Sequence, residues 1–164
     1  MKLTLPRFGL DEVDVDPASL IAFPNGLPGF EDCTQFKLFH SENNPAIFWL
    51  QSIDDPEVVF SMTGPESLGV FIKMTLSEEE LATLQVAEND NLQVAILLAE
   101  QEAADGQRVV QAYYESPIVI NVSQQIAMQK SLLFADFSIA AGETAEAPMH
   151  FAASRAQPIE HAAA

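Results

Sequence analysis

The sequence predicts a mostly β protein, a small antiparallel β-barrel-like domain with one or two short helices. Three observations lead there. Short apolar or alternating runs recur over residues 3–139, each closed within a few residues by Gly, Pro, Asn or Asp. Only one stretch, Ser77-Glu78-Glu79-Glu80, carries a full helix-start signal. Many strands at short spacing with so few helices imply a barrel or a sandwich.

The elements follow in order. Residues 3–8 and 11–15 flank Gly9 as a hairpin, and Val13 and Val15 alternate with acids as on a half-buried strand. Residues 19–23 form a strand that runs into Pro24-Asn25-Gly26. There Asn-Gly supplies positive φ angles, and Pro24 and Pro28 withhold ladder donors. Strands over 36–40 and 47–53 are separated by the polar turn 41–45. Ile47, Trp49, Gln51 and Ile53 share one face and Phe48, Leu50 and Ser52 the other; two largely apolar faces mark a central strand. Strands over 58–63 and 70–76 lead to a helix from Ser77 to about Gln85, with Leu81 and Leu84 as its apolar side and three acids at the positive end of its dipole. Residues 92–100 are the strongest buried strand, and Asp105-Gly106 turns the chain back into 108–115. Strands at 117–122, 126–128 and 131–139 complete a domain spanning 1–141. Residues 142–164, rich in Ala with scattered Glu, Pro and His, show no period and read as a flexible C-terminal tail.

The 164 residues are 48% apolar, enough for a globular core. Against 7 bases stand 24 acids, a net charge of −17 that repels nucleic acid and anionic lipid and attracts basic partners. Cys33 is the single cysteine, so neither an intrachain disulfide nor a thiolate metal cluster can form. The start has no apolar h-region and the longest apolar run is 94–99, so the expectation is a soluble, cytoplasmic protein without a signal peptide.

Catalytic patterns are missing from the sequence. His40 is the one histidine before the tail and reads as a strand-end residue, not a base. Zinc-protease, nucleophile-elbow and phosphate-loop motifs do not occur. Asp54-Asp55-Pro56-Glu57 is good turn chemistry, and neighbours on an extended chain point oppositely, so the two Asp side chains are poorly placed to share a proton or a metal. Cys33 reads as a small buried hydrophobe and Trp49 as at least partly buried, although Trp also concentrates at binding hot spots. Neither a cofactor, nor a metal, nor a catalytic residue is expected.

Two segments stand out, residues 23–31 (FPNGLPGFE) and 48–56 (FWLQSIDDP). Each sets aromatic residues beside turn residues and ends in or next to a carboxylate, as fixed loops with an acidic, aromatic surface would. With residues 92–97 (LQVAIL) and 116–121 (SPIVIN), and with the short strand to Phe8-Gly9 followed by an acidic strand, their order and spacing resemble the flagellar assembly factor FliW family over about residues 2–139. The chain departs from that family at Gly64-Pro65, where Asp-Pro is common, at Glu66-Ser67-Leu68-Gly69, at Tyr113-Tyr114-Glu115-Ser116 and in its Ala-rich end.

The resemblance implies a non-enzymatic β-barrel-like protein that binds the translational regulator CsrA. In the family this prevents repression of flagellin mRNA, and flagellin binds as a competing partner; no direct contact with nucleic acid or membrane is implied. The residues expected at partner surfaces are Phe30, Glu31, Asp32, Trp49, Gln51, Asp54, Asp55 and Pro56. The acids would supply contact charge, and Phe30 and Trp49 would fix the loops. The readings weighed against it are a carboxylate-dependent hydrolase built on Asp54 and Glu31, and a barrel carrying a small apolar ligand.

Overall fold

The computed structural model describes residues 1–132 and, for the backbone, 137–139. Strands β1 (Lys2–Leu5) and β2 (Leu10–Asp14) form an antiparallel hairpin. The first ends earlier than predicted because Pro6 opens a 3-10 turn, Pro6–Phe8, which Gly9 closes at φ +68°. A second such turn, Pro17–Ser19, is capped by the Asp16 carboxylate and shortens β3 to Ile21–Ala22. Strands β4 (Gln35–His40), β5 (Ile47–Ser52) and β6 (Val59–Thr63) then run as an antiparallel meander. After a 3-10 turn at Pro65–Leu68 comes β7 (Val70–Ile72).

Helix α1 (Glu78–Thr83) starts at the predicted capping box: the Ser77 hydroxyl accepts from the Glu80 amide, and the Glu80 carboxylate accepts from the Ser77 amide. Strands β8 (Leu92–Glu102), β9 (Arg108–Ala112), β10 (Ile118–Asn121) and β11 (Ile126–Gln129) follow. Last is β12 (Phe137–Ile139), which pairs with β7. Residues 133–136, within the predicted last strand, and the predicted tail 142–164 lie outside the described residues.

Eight strands make one sheet in the order β10-β11-β3-β4-β5-β6-β8-β9, and β10 also pairs with the first half of β8. The sheet therefore closes into a ring, with β9 continuing along the β8 edge that β10 leaves. Closure leaves few sheet edges to protect. One pair, β11 with β3, is parallel where the sequence reading was antiparallel throughout. Without β9 the ring has seven strands; strand directions cannot alternate around an odd ring, so at least one neighbouring pair must run parallel.

The barrel interior is filled by Phe23, Phe36, Leu50, Met62, Ile118 and their neighbours. The apolar outer faces are covered separately. The β1–β2 hairpin sits on Phe39 and Trp49. The turn before β7 packs Leu68 on Ile96, and Leu84, at the end of α1, packs on Val119 and Ile126. This explains why β5 is apolar on both faces: Leu50 points into the barrel, while Trp49 meets Phe8 edge-on at 5.6 Å beneath the hairpin.

Candidate partner-binding site

The first segment folds into a closing loop over one end of the barrel. Phe23 is wholly buried, its N–H donating to Thr34 O, and Leu27 and Cys33 join the interior cluster. Between them the chain turns twice: Gly26 N donates to Phe23 O at 2.8 Å, and Phe30 N to Leu27 O at 2.7 Å. Gly26 has φ +63°, and a Cβ there would lie 2.6 Å from Glu31 Cα and 2.8 Å from Phe30 O. Only glycine meets both demands, positive φ and backbone contact. Phe30 is 39% exposed and rests edge-on against Phe60, 5.1 Å between centroids. The Glu31 carboxylate accepts from Gly29 N at 3.2 Å, and Asp32 is exposed.

The second segment ends in a turn beside this loop. Gln51 is fully buried, and its side-chain amide donates to Ser52 O (2.9 Å) and Pro56 O (3.0 Å), holding the turn from within. The Ser52 hydroxyl accepts from Asp55 N, and the Asp55 carboxylate from Glu57 N. Asp54 is the fastening between the segments. Its Oδ2 accepts from Thr34 N (2.9 Å) and Gln35 N (3.0 Å), next to an Ile53 N to Gln35 O bond.

The structure thus brings the two segments together at one end of the barrel. It leaves Phe30, Glu31, Asp32, Asp54, Asp55 and Pro56 on the outside. Trp49 and Gln51 stand apart from these six: both are buried, Trp49 under the N-terminal hairpin and Gln51 inside the turn. Trp49 fixes that hairpin, and Phe30, through Phe60, fixes the loop. Asp54 and Asp55 bind different amides, in keeping with their opposed directions on the chain. Together the two loops carry five exposed acids, Glu31, Asp32, Asp54, Asp55 and Glu57, and the exposed Phe30, a surface suited to a basic partner. Among the described residues no group of three or more His, Cys, Asp or Glu side chains could hold a metal.

The other barrel end is open. A depression of about 520 Å³ there is lined by Ile21, Leu38, Phe48, Met62, Ala95 and Ile120. His40, at its rim, is exposed and stacks edge-on against Phe48.

Three supporting residues escaped sequence reading. Phe60 carries Phe30, but in the sequence it is one more strand aromatic. Asn121, wholly buried, donates to Leu84 O (2.9 Å) and Asp90 Oδ2 (3.0 Å); a buried Asn in an apolar run was the available signal. Hydrogen bonds from the Ala87 amide and then Asn121 hold the Asp90 carboxyl below its usual range. Lys130 reaches both Glu80 oxygens, at 2.8 and 2.9 Å. Burial pushes the Glu80 carboxyl up, but Lys130 and the Ser77 amide together outweigh it and hold the group below its usual range.

The family profile described as FliW protein matches residues 4–141. The chain belongs to the FliW family. A relative from Azoarcus sp. (strain BH72), called flagellar assembly factor FliW, is 42% identical over 133 residues, which are 79% of this chain and 90% of that one. A protein of the same name from Chromobacterium violaceum is 37% identical over 134 residues, covering 77% and 91%. The crystal structure of a flagellar assembly factor FliW superposes with a TM-score of 0.69 over 85% of this chain and 94% of that chain at 23% identity, so the fold too is the family's. No helix among the described residues is long and apolar enough to cross a membrane.

Proposed function

We propose that this protein is a non-enzymatic flagellar assembly factor of the cytoplasm. It binds the translational regulator CsrA, prevents CsrA from repressing flagellin mRNA, and binds flagellin as a competing partner. The observation that carries the reading is the convergence of the two loop segments at one barrel end, which carries five exposed carboxylates and the exposed Phe30. An RNA-binding regulator must present a basic surface to its message, and an acidic loop cluster on a chain of net charge −17 steers toward such a surface. Family membership and relatives that carry the assembly-factor name support the same reading.

The test is a titration of the purified protein into a CsrA–RNA complex at low salt. The expected result is release of RNA and a protein–CsrA complex on size exclusion, reversed by added flagellin. Retention of RNA with no such complex overturns the reading. The contact charges are probed at Asp32, which is exposed, and not at Asp54, whose carboxylate holds the loop. Asp32→Lys is expected to weaken CsrA binding about tenfold, the scale of 1.4 kcal/mol, at unchanged thermal stability. Unchanged affinity moves the contact away from this loop.

A further inference from the structure

Strand β8 is long, and its two edges are not equally used. Tyr113 N donates to Leu97 O and Ala103 N to Gln107 O, so the odd-numbered residues of β8 turn their backbone groups toward β9. The even-numbered ones face β6: the Ser61 hydroxyl reaches Leu98 O from that side. The β6–β8 ladder, however, ends at Ser61↔Leu98, while β8 runs on to Glu102 and β6 begins at Val59. Beyond that pair the strands part, and among the described residues the ladder gives Glu100 and Glu102 no partner on this edge. Val59, across the gap, also turns its backbone groups toward β8, because β5 takes the even-numbered residues of β6 through bonds such as Ser52 N to Val58 O.

The gap is a cleft of about 400 Å³ whose lining includes Arg7, Phe8, Trp49, Val59, Leu98 and Glu100. Apolar floor and unpaired strand edges meet in one place. An edge of this kind is filled by an extended segment, whose main chain completes the ladder while alternate side chains drop into the floor. Charge selects the segment. Two guanidinium groups lie here, Arg7, which donates to Glu57 O and keeps its charge, and Arg108, paired with Glu100; four carboxylates, Glu57, Glu100, Glu102 and Asp105, outnumber them. Glu57, next to Val59 on the chain, and Glu102 and Asp105, just past Glu100, are exposed.

We propose that this cleft is a strand-addition site, where an extended segment of a partner protein with alternating basic and apolar residues pairs with β8 at Glu100–Glu102. The site does not depend on which partner the acidic loops engage, and failure of either proposal leaves the other standing.

The experiment uses a fluorescent ten-residue peptide of alternating Arg and Val. Its affinity is measured by anisotropy, and amide exchange is followed with and without it. Glu102→Pro deletes the amide that faces the cleft and no β8–β9 ladder donor, a position where an edge proline is tolerated; Glu102→Gln keeps that amide. The expected result is fast exchange at the Glu100 and Glu102 amides in the free protein and protection with peptide. Affinity should fall at least tenfold in Glu102→Pro and less than threefold in Glu102→Gln. Equal affinity for both variants, or binding no tighter than that of a Pro-interrupted peptide of the same charge, overturns the proposal. Protection of both amides in the free protein also overturns it, by showing that the chain itself or a second copy already fills the edge. Exchange on the unmutated protein keeps the test decisive should Glu102→Pro fail to fold.

Discussion

At one end of the barrel the chain turns inward, and Phe23, Leu27 and Cys33 plug the interior from a loop. At the other end the strands simply stop, and the side chains of Leu38, Phe48 and Met62 line an open depression. The two ends are built from the same strands, so the difference lies in what the connections must do. Closing an end brings backbone against backbone, which calls for a glycine at Gly26 and amide partners such as Asp54. The open end has turn demands of its own, with Gln125 between β10 and β11 held at φ +56°, but among the described residues no loop crosses its mouth. The two loop-forming family segments lie at the closed end, where backbone meets backbone.

The sharpest way to break the contrast is Gly26→Val. Positive φ and a Cβ inside van der Waals contact of Glu31 are expected to cost about 3 kcal/mol or more. Urea unfolding at pH 7 reads this as a large fall in midpoint, and a near-neutral result would mean that the loop is free to move away. Leu27→Ala, which leaves a cavity under the same loop, is expected to cost about 2–4 kcal/mol by the same measurement. Asp54→Ala removes the acceptor for two amides at an exposed site and should cost about 1 kcal/mol. Its amide-exchange signature should be faster exchange confined to Thr34 and Gln35.

The Glu80–Lys130 pair belongs to neither loop segment and serves as a reference. Lys130→Met is expected to lower stability by about 1 kcal/mol at pH 7. The folded-state pKa of Glu80 is lowered, so the pair's contribution is fully present above the ordinary carboxylate value and is lost as pH falls through the folded one. The gap between variant and parent should therefore shrink below about pH 4.5, the ordinary value. A gap that is constant down to pH 3 would assign the loss to packing. The smallest effect is expected at the open end. Ala95→Leu grows into the depression and should change stability by less than about 1 kcal/mol, whereas a filled core would charge it about 1–3 kcal/mol for overpacking.

Local chemistry was legible where one segment of chain settles its own conformation. The capping box at Ser77, the turn at Asp105-Gly106, the central character of β5 and the non-strand loop after Phe23 all follow from neighbouring residues. The ends of β1 and β3 were misjudged because Pro6 and Pro17 open 3-10 turns that interrupt an apolar pattern without erasing it. Trp49 was legible as a buried residue, but its destination under the N-terminal hairpin was not, since Phe8 is 41 positions away and no local signal joins them. Asp54 likewise read as a turn residue; that it fastens the amides of Thr34 and Gln35 depends on a pairing 20 positions distant.

By itself the sequence determined the strand-rich class, the helix start, the acid balance and, through the order and spacing of four segments, the family. These are properties of short windows or of sums over the chain. The tertiary structure decided the rest: that the sheet closes and must include a parallel pair, which end is sealed, that the two segments meet, and that β8 outruns β6. Each depends on contacts between residues far apart in the chain, and strand order and register are set by how buried faces fit one another, not by any one segment's pattern.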